Sequence, residues 1–143
     1  MNDSNNSIVV IIDHTDHNDL LETTLNSIYN QTYDNIKVIV VANQEMQLSN
    51  YSFNANSYVD EVISFIDLNS RRISLNEVVS SYESGAFIIL KSGDQLSVDY
   101  LRIMEGLLLE NSADVVISPI AYQEHDTKQP FYYNAELACS AYK

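Results

Sequence analysis

Short apolar runs alternate with amphipathic stretches along this chain. The run "SIVVIID" (7–13) is continuously apolar, the pattern of a strand buried on both faces. Residues 18–31 carry Leu21, Leu25 and Ile28 at helical spacing, and Asp19 with Glu22 has the spacing of a capping box, so this segment predicts a helix. "NQTYDN" reads as a turn, and "IKVIVVA" (36–42) as a second buried strand. Residues 43–58, rich in Asn, Ser and Gln, predict a loop with one helical turn, and "VDEVISFI" (59–66) a third strand. Ser74 with Glu77 opens a second helix with the stripe Leu75, Val78, Val79 and Tyr82, and Gly85 is its expected left-handed cap. "AFIIL" (86–90) predicts a fourth strand buried on both faces. Ser97 is expected to cap a long helix to about Glu110, with Leu101, Met104, Leu107 and Leu108 inward, and "ADVVISPI" (113–120) predicts a fifth strand. The polar residues 1–6 predict a disordered terminus, and the segment from Ala121 onward gives no clear pattern.

Strands alternating with helices predict an α/β fold: a doubly wound, mainly parallel sheet with helices on both faces. Sheets of this class bind ligands at the carboxyl ends of their strands, where the strand order reverses. In this chain those ends are Asp13–His17, Ala42–Gln44, Ile66–Asn69 and Lys91–Asp94.

Charge narrows the partners. Seven basic side chains stand against 20 acidic ones, a net charge of −13. That argues against nucleic acid, which needs clustered Lys and Arg, and against docking to an anionic membrane. No apolar run approaches the ~18 residues a membrane span needs, and no basic, apolar leader is present, so a cytoplasmic protein is expected. The single cysteine, Cys139, cannot form an internal disulfide and is read as structural.

Two segments carry a resemblance. "LLETTLNSIYNQTY" (20–33) followed by "NIKVIVV" (35–41) is similar to the opening of glycosyltransferase family 2, with its "LLxxTLxSIxxQTY" helix and "NIxxIVVDDGS" strand. "GAFIILKSGDQLSVDYL" (85–101) resembles the same family's "GxYIxxLDSDDxxxPxYL", and "ENSADVVIS" follows as it does there. Together they cover residues 8 to about 120, in the family's order. The resemblance implies a GT-A fold, of which residues 7–121 would be the nucleotide-binding part. It further implies a nucleotide-sugar donor, a UDP-sugar above all, and transfer to a cell-surface glycan. Residues 122–143 would begin an acceptor part that is missing or truncated, because no carboxylate in a readable context beyond Glu124 and Asp126 offers a catalytic base. The chain is accordingly expected to be inactive alone and to belong to a larger parent chain or a homo-oligomer.

The departures from the family fall on the chemistry. The resemblance carries donor binding to Asp13, His14, Asp16, Asn43, Lys91 and Asp94. Asp13 stands where Pro is usual and Asp16 where Asn is usual. Ala42 and Asn43 replace an Asp pair that contacts uracil or ribose. At the metal motif the chain reads Lys91-Ser92-Gly93-Asp94, so Lys91 replaces one carboxylate. Mn²⁺ or Mg²⁺ needs hard oxygen ligands, and Asp94 is the position left to hold it. Two readings of this motif stay open. In one, the positive charge of Lys91 neutralises the diphosphate directly and Asp94 orients a sugar hydroxyl or a metal-bound water. In the other, the site has decayed and Asp94 caps a turn.

Other readings compete. The fold could serve as a non-catalytic interaction module of a larger glycan- or teichoic-acid-building protein. A phosphoacceptor receiver would use Asp13, Asp67 and Lys91, but the match at 24–41 argues against it. "DHTDH", with Asp13, His14, Asp16 and His17, has residue types that bind transition metals, yet solvated loop residues explain it better. His125 is given no role. Tyr29, Tyr33, Tyr82 and Tyr100 read as the edge of the core, and Tyr132, Tyr133 and Tyr142 as packing against a further part.

Overall fold

A computed structural model of the chain describes residues 7–15, 19–42, 61–64, 75–81, 85–118, 121–122, 131–132 and 140–142. The elements in chain order are β1 (Ile8–His14), α1 (Leu21–Tyr29), β2 (Ile36–Ala42), β3 (Glu61–Ser64), α2 (Leu75–Ser80), β4 (Ala86–Lys91), α3 (Tyr100–Asn111), β5 (Val115–Ile117), β6 (Ala121–Tyr122), β7 (Phe131–Tyr132) and β8 (Ser140–Tyr142). The chain divides into two compact units, Met1–Leu101 and Arg102–Lys143.

The first unit is α/β. Its sheet has the order β3-β2-β1-β4, and every pairing in it is parallel. The register follows the side-chain period of two. Ile8, Val10 and Ile12 of β1 and Val38 and Val40 of β2 turn to one face, where they pack with Leu21, Leu25 and Ile28 of α1 and with Leu90 and Leu101. Val9, Ile11, Ile39 and Val41 turn to the other face and pack with Val78 of α2. Burial of alternate residues against opposite helices explains why Ile8–Ile12 of β1 and Val38–Ala42 of β2 are apolar without interruption. Each of the three buried apolar side chains of α1, Leu21, Leu25 and Ile28, contributes roughly 1.5–3 kcal/mol by leaving water.

Several expectations are corrected. β4 is not buried on both faces. Leu90 lies inside, but Phe87 is 55% and Ile89 43% exposed, because β4 ends the strand order and α2 covers the neighbouring strands. The Asp19–Glu22 capping box does not form. Leu20 holds the N-cap position of α1 with no side-chain cap bond, and its side chain instead lies beside Gly93. Gly85 does not cap α2, which ends at Ser80 with the Ser81 N–H and hydroxyl both donating to the Val78 carbonyl. Gly85 has φ +99° at the entrance to β4, where a Cβ would stand 2.2 Å from the Ser7 carbonyl oxygen. Ser97 acts through its carbonyl, which accepts from Tyr100 N–H at 2.9 Å. Tyr29, Tyr33 and Tyr100 pack against the core as expected, while Tyr82 and the 43–58 loop lie outside the described residues.

In the second unit, β5 does not extend the parallel sheet. It pairs antiparallel with β8, and β6 pairs antiparallel with β7. Helix α3 closes with a Schellman motif: Ser112 takes φ 47°, its N–H donates to Leu109, and Ala113 N–H donates to Leu108. Among the described residues, no helix is long and apolar enough to cross a membrane.

Two substitutions test this description by urea unfolding. Gly85→Ala is expected to destabilise by about 2–4 kcal/mol, from left-handed strain plus overlap with the Ser7 backbone. Ser112→Gly is expected to stabilise by about 0.5 kcal/mol, the relieved left-handed strain less the entropy glycine loses on folding.

Candidate functional site

The strand order reverses at β1, whose neighbours β2 and β4 both run parallel to it. The carboxyl ends of β1 and β4 therefore lie side by side, with Asp13 opposite Lys91 in register. The ladder continues one step further, where Ser92 N–H donates to the Asp13 carbonyl at 3.0 Å. The four predicted residues Asp13, His14, Lys91 and Asp94 are thereby gathered at one end of one strand pair. Asp16 and Asn43 lie outside the described residues, as does His17.

Each side chain has a defined role in this geometry. His14 ends β1 and is 3% exposed, with its Nδ1 2.6 Å from the Ser92 hydroxyl. A buried imidazole needs such a partner, and this one joins the two strand ends across 78 residues of sequence. Asp13 turns its carboxylate back onto the chain, where Oδ1 accepts from Thr15 N–H at 3.1 Å and from the Thr15 hydroxyl at 2.7 Å. That is an Asx-type turn, and it occupies one oxygen of the Asp13 carboxylate. Asp94 closes the next turn: its Oδ2 accepts from Lys91 N–H at 2.8 Å, and its own N–H donates to the Lys91 carbonyl at 2.9 Å. Lys91 is exposed, so its side chain reaches solvent at the strand end.

The metal expectation meets this geometry at Asp94. One of its oxygens is spent on the turn, and among the described residues no group of three His, Cys, Asp or Glu side chains comes together. Mg²⁺ is usually held by one or two carboxylates with waters and phosphate oxygens completing its shell, so a single carboxylate at this turn is compatible with an ion bridged to a ligand.

The Lys91–Asp94 turn is held from behind by residues that the pattern of apolar positions passes over. Thr24, fully buried on α1, accepts from Gly93 N–H at 2.8 Å. Ser27 accepts from Leu96 N–H at 3.1 Å and donates to the Thr24 carbonyl at 2.8 Å. Gln31 donates to the carbonyls of Ser27 and Ser97, at 3.0 and 2.7 Å, and accepts from Leu101 N–H at 3.0 Å. Thr32 adds a backbone bond to Val98 and a hydroxyl bond to Asp99. Gly93 itself has φ +107°, and a Cβ there would stand 3.1 Å from Leu20 Cδ1. The signal was available: Thr24 lies on the helix face of Leu21, Leu25 and Ile28, and Gln31, two residues past the end of α1, continues that spacing.

Compared with protein-family models, the chain matches no family, and a search of curated proteins finds no match either.

Ser92→Ala tests the strand-end bond. It removes the hydroxyl from His14 Nδ1 and is expected to lower stability by about 1–3 kcal/mol, the penalty for leaving one buried polar group of a pair. Chemical denaturation of the variant beside the parent chain measures it.

Proposed function

We propose that residues 7–121 are the nucleotide-binding part of a doubly wound, GT-A-like domain, similar to glycosyltransferase family 2. It would take a UDP-sugar in the cytoplasm for transfer to a cell-surface glycan, with catalysis completed by a further part. One observation carries the reading: the sheet order β3-β2-β1-β4 reverses between β2 and β4 about β1, and Asp13, His14, Lys91 and Asp94 lie at that reversal. Nucleotides bind at such switch points because the loops there diverge and leave a crevice. The first helix packs on one face of the sheet and the second on the other, as right-handed crossovers running in opposite directions require.

In this reading Lys91 carries the electrostatics. Its positive charge stands at the end of β4, where the family's metal-bridging carboxylate would be, and neutralises the donor diphosphate directly. The N–H groups of the 92–94 turn are already committed to Asp13, Thr24 and Lys91, so charge rather than backbone cradling does the holding. A second reading, a non-catalytic interaction module, draws on one observation. The Asp94 carboxylate closes its own turn, as a structural residue does.

Calorimetric titration with UDP, in EDTA and in Mn²⁺, separates the two. The donor-site reading expects binding in EDTA that falls at least tenfold in Lys91→Ala, a loss of about 1.4 kcal/mol. Binding that appears only with Mn²⁺ would restore Asp94 as a metal ligand. Silence in both buffers would discard the donor site and leave the interaction module.

A further inference from the structure

The polar face of α1 has no evident reason to exist if the helix only covers the sheet. Thr24 is 0% and Gln31 8% exposed. An apolar pair there would bury equally well without the demand for partners that a buried polar group makes. What these groups reach is concentrated. The bond that Thr24 accepts, the two bonds of Ser27 and all three bonds of Gln31 involve either α1 itself or the backbone of residues 93–101. That backbone begins inside the turn that presents Lys91 and Asp94.

We propose that Thr24, Ser27 and Gln31 are positioning residues, which hold the 91–97 segment in its ligand-ready shape before a nucleotide arrives. The inference rests on the donor-site reading and adds to it a set of residues that never touch the ligand. The chain of contact is short. Thr24 fixes Gly93 N–H, Gly93 holds its left-handed φ, and the turn so made lets Asp94 accept from Lys91 N–H. Ser27 and Gln31 pin the exit of the same segment at Leu96, Ser97 and Leu101. The core beneath is separate. Leu21, Leu25 and Ile28 anchor α1 to the sheet, so the helix stays docked when one hydroxyl is removed. If the turn is competent only part of the time, apparent affinity falls by that fraction.

The experiment uses the full chain with two variants. Thr24→Val keeps the shape and removes the hydroxyl, while Thr24→Ser keeps the hydroxyl and removes a methyl. Amide hydrogen exchange at Gly93 and Leu96 is read without ligand, with Val10 and Val40 as controls for the core, and UDP affinity is read by calorimetry. The expected result is lost protection at Gly93 in Thr24→Val with the controls unchanged, and a three- to tenfold weaker UDP Kd, the equivalent of one hydrogen bond. Thr24→Ser should restore both. Ser27→Ala provides a second entry, read at Leu96, should Thr24→Val lose its core protection. UDP affinity unchanged beside lost protection at Gly93 would overturn the positioning role alone. Protection at Gly93 that survives Thr24→Val would do the same. A parent chain that does not bind UDP would overturn the donor-site reading and this inference with it.

Discussion

The hydrogen bonds from the buried face of α1 to the segment after β4 govern the architecture of the first unit. They join the first crossover of the chain to the last strand of the sheet. Without them, the Lys91–Asp94 turn would be a surface loop attached at one end. With them, the backbone N–H groups of Gly93, Leu96 and Leu101 have partners inside the protein, which buried backbone requires. Each bond contributes only about 0.5–1.5 kcal/mol net, so the set matters less as stability than as geometry. It fixes one path for the eight residues that have no regular structure of their own between Lys91 and Tyr100.

The sheet supplies the complementary constraint. β1 is central, and its side chains are shared between two helices on alternate positions. A polar substitution at Val10 or Ile11 would therefore disturb one face without a neighbour able to relax, since both flanking strands are paired to it. The strand becomes polar only where it leaves this sandwich, at Asp13 and His14. Those residues are used at once: Asp13 to turn the chain through Thr15, and His14 to tie β1 to Ser92. The change from apolar to polar along β1 marks the point at which the sheet ceases to be a core and becomes a site.

Much of this was legible in the sequence, for physical reasons that differ by element. β2 was read with its observed bounds, because Val38–Ala42 are all apolar and buried and only Lys37, near its start, is polar. The apolar run of β4 overstated its burial, since hydrophobicity records what a strand tolerates on each face and not what covers it; Phe87 and Ile89 are apolar and exposed. The strands β6, β7 and β8 were illegible because two or three residues cannot display a period. At the candidate site, the adjacency of Asp13 and Lys91 followed from strand order, but the polar ladder did not. A Thr, a Ser and a Gln on a helix look the same whether they face water or a buried backbone, and only their place on the Leu21–Leu25–Ile28 stripe distinguishes them. The capping box at Asp19 failed because matching residue types at the right spacing does not fix where the helix begins.

The strand order also sets a timetable. β1 is made first and lies innermost, yet its bond to Ser92 spans 78 residues. On a ribosome adding about 5–20 residues per second, β1 waits several seconds for its second neighbour, with one edge unpaired. A chain so arranged folds around its oldest strand from the youngest inward, and its non-local pairing makes that closure slow. The junction between the ends of β1 and β4 is thus the last feature of the first unit to appear. A nascent chain has an apolar sheet to protect before that junction is made.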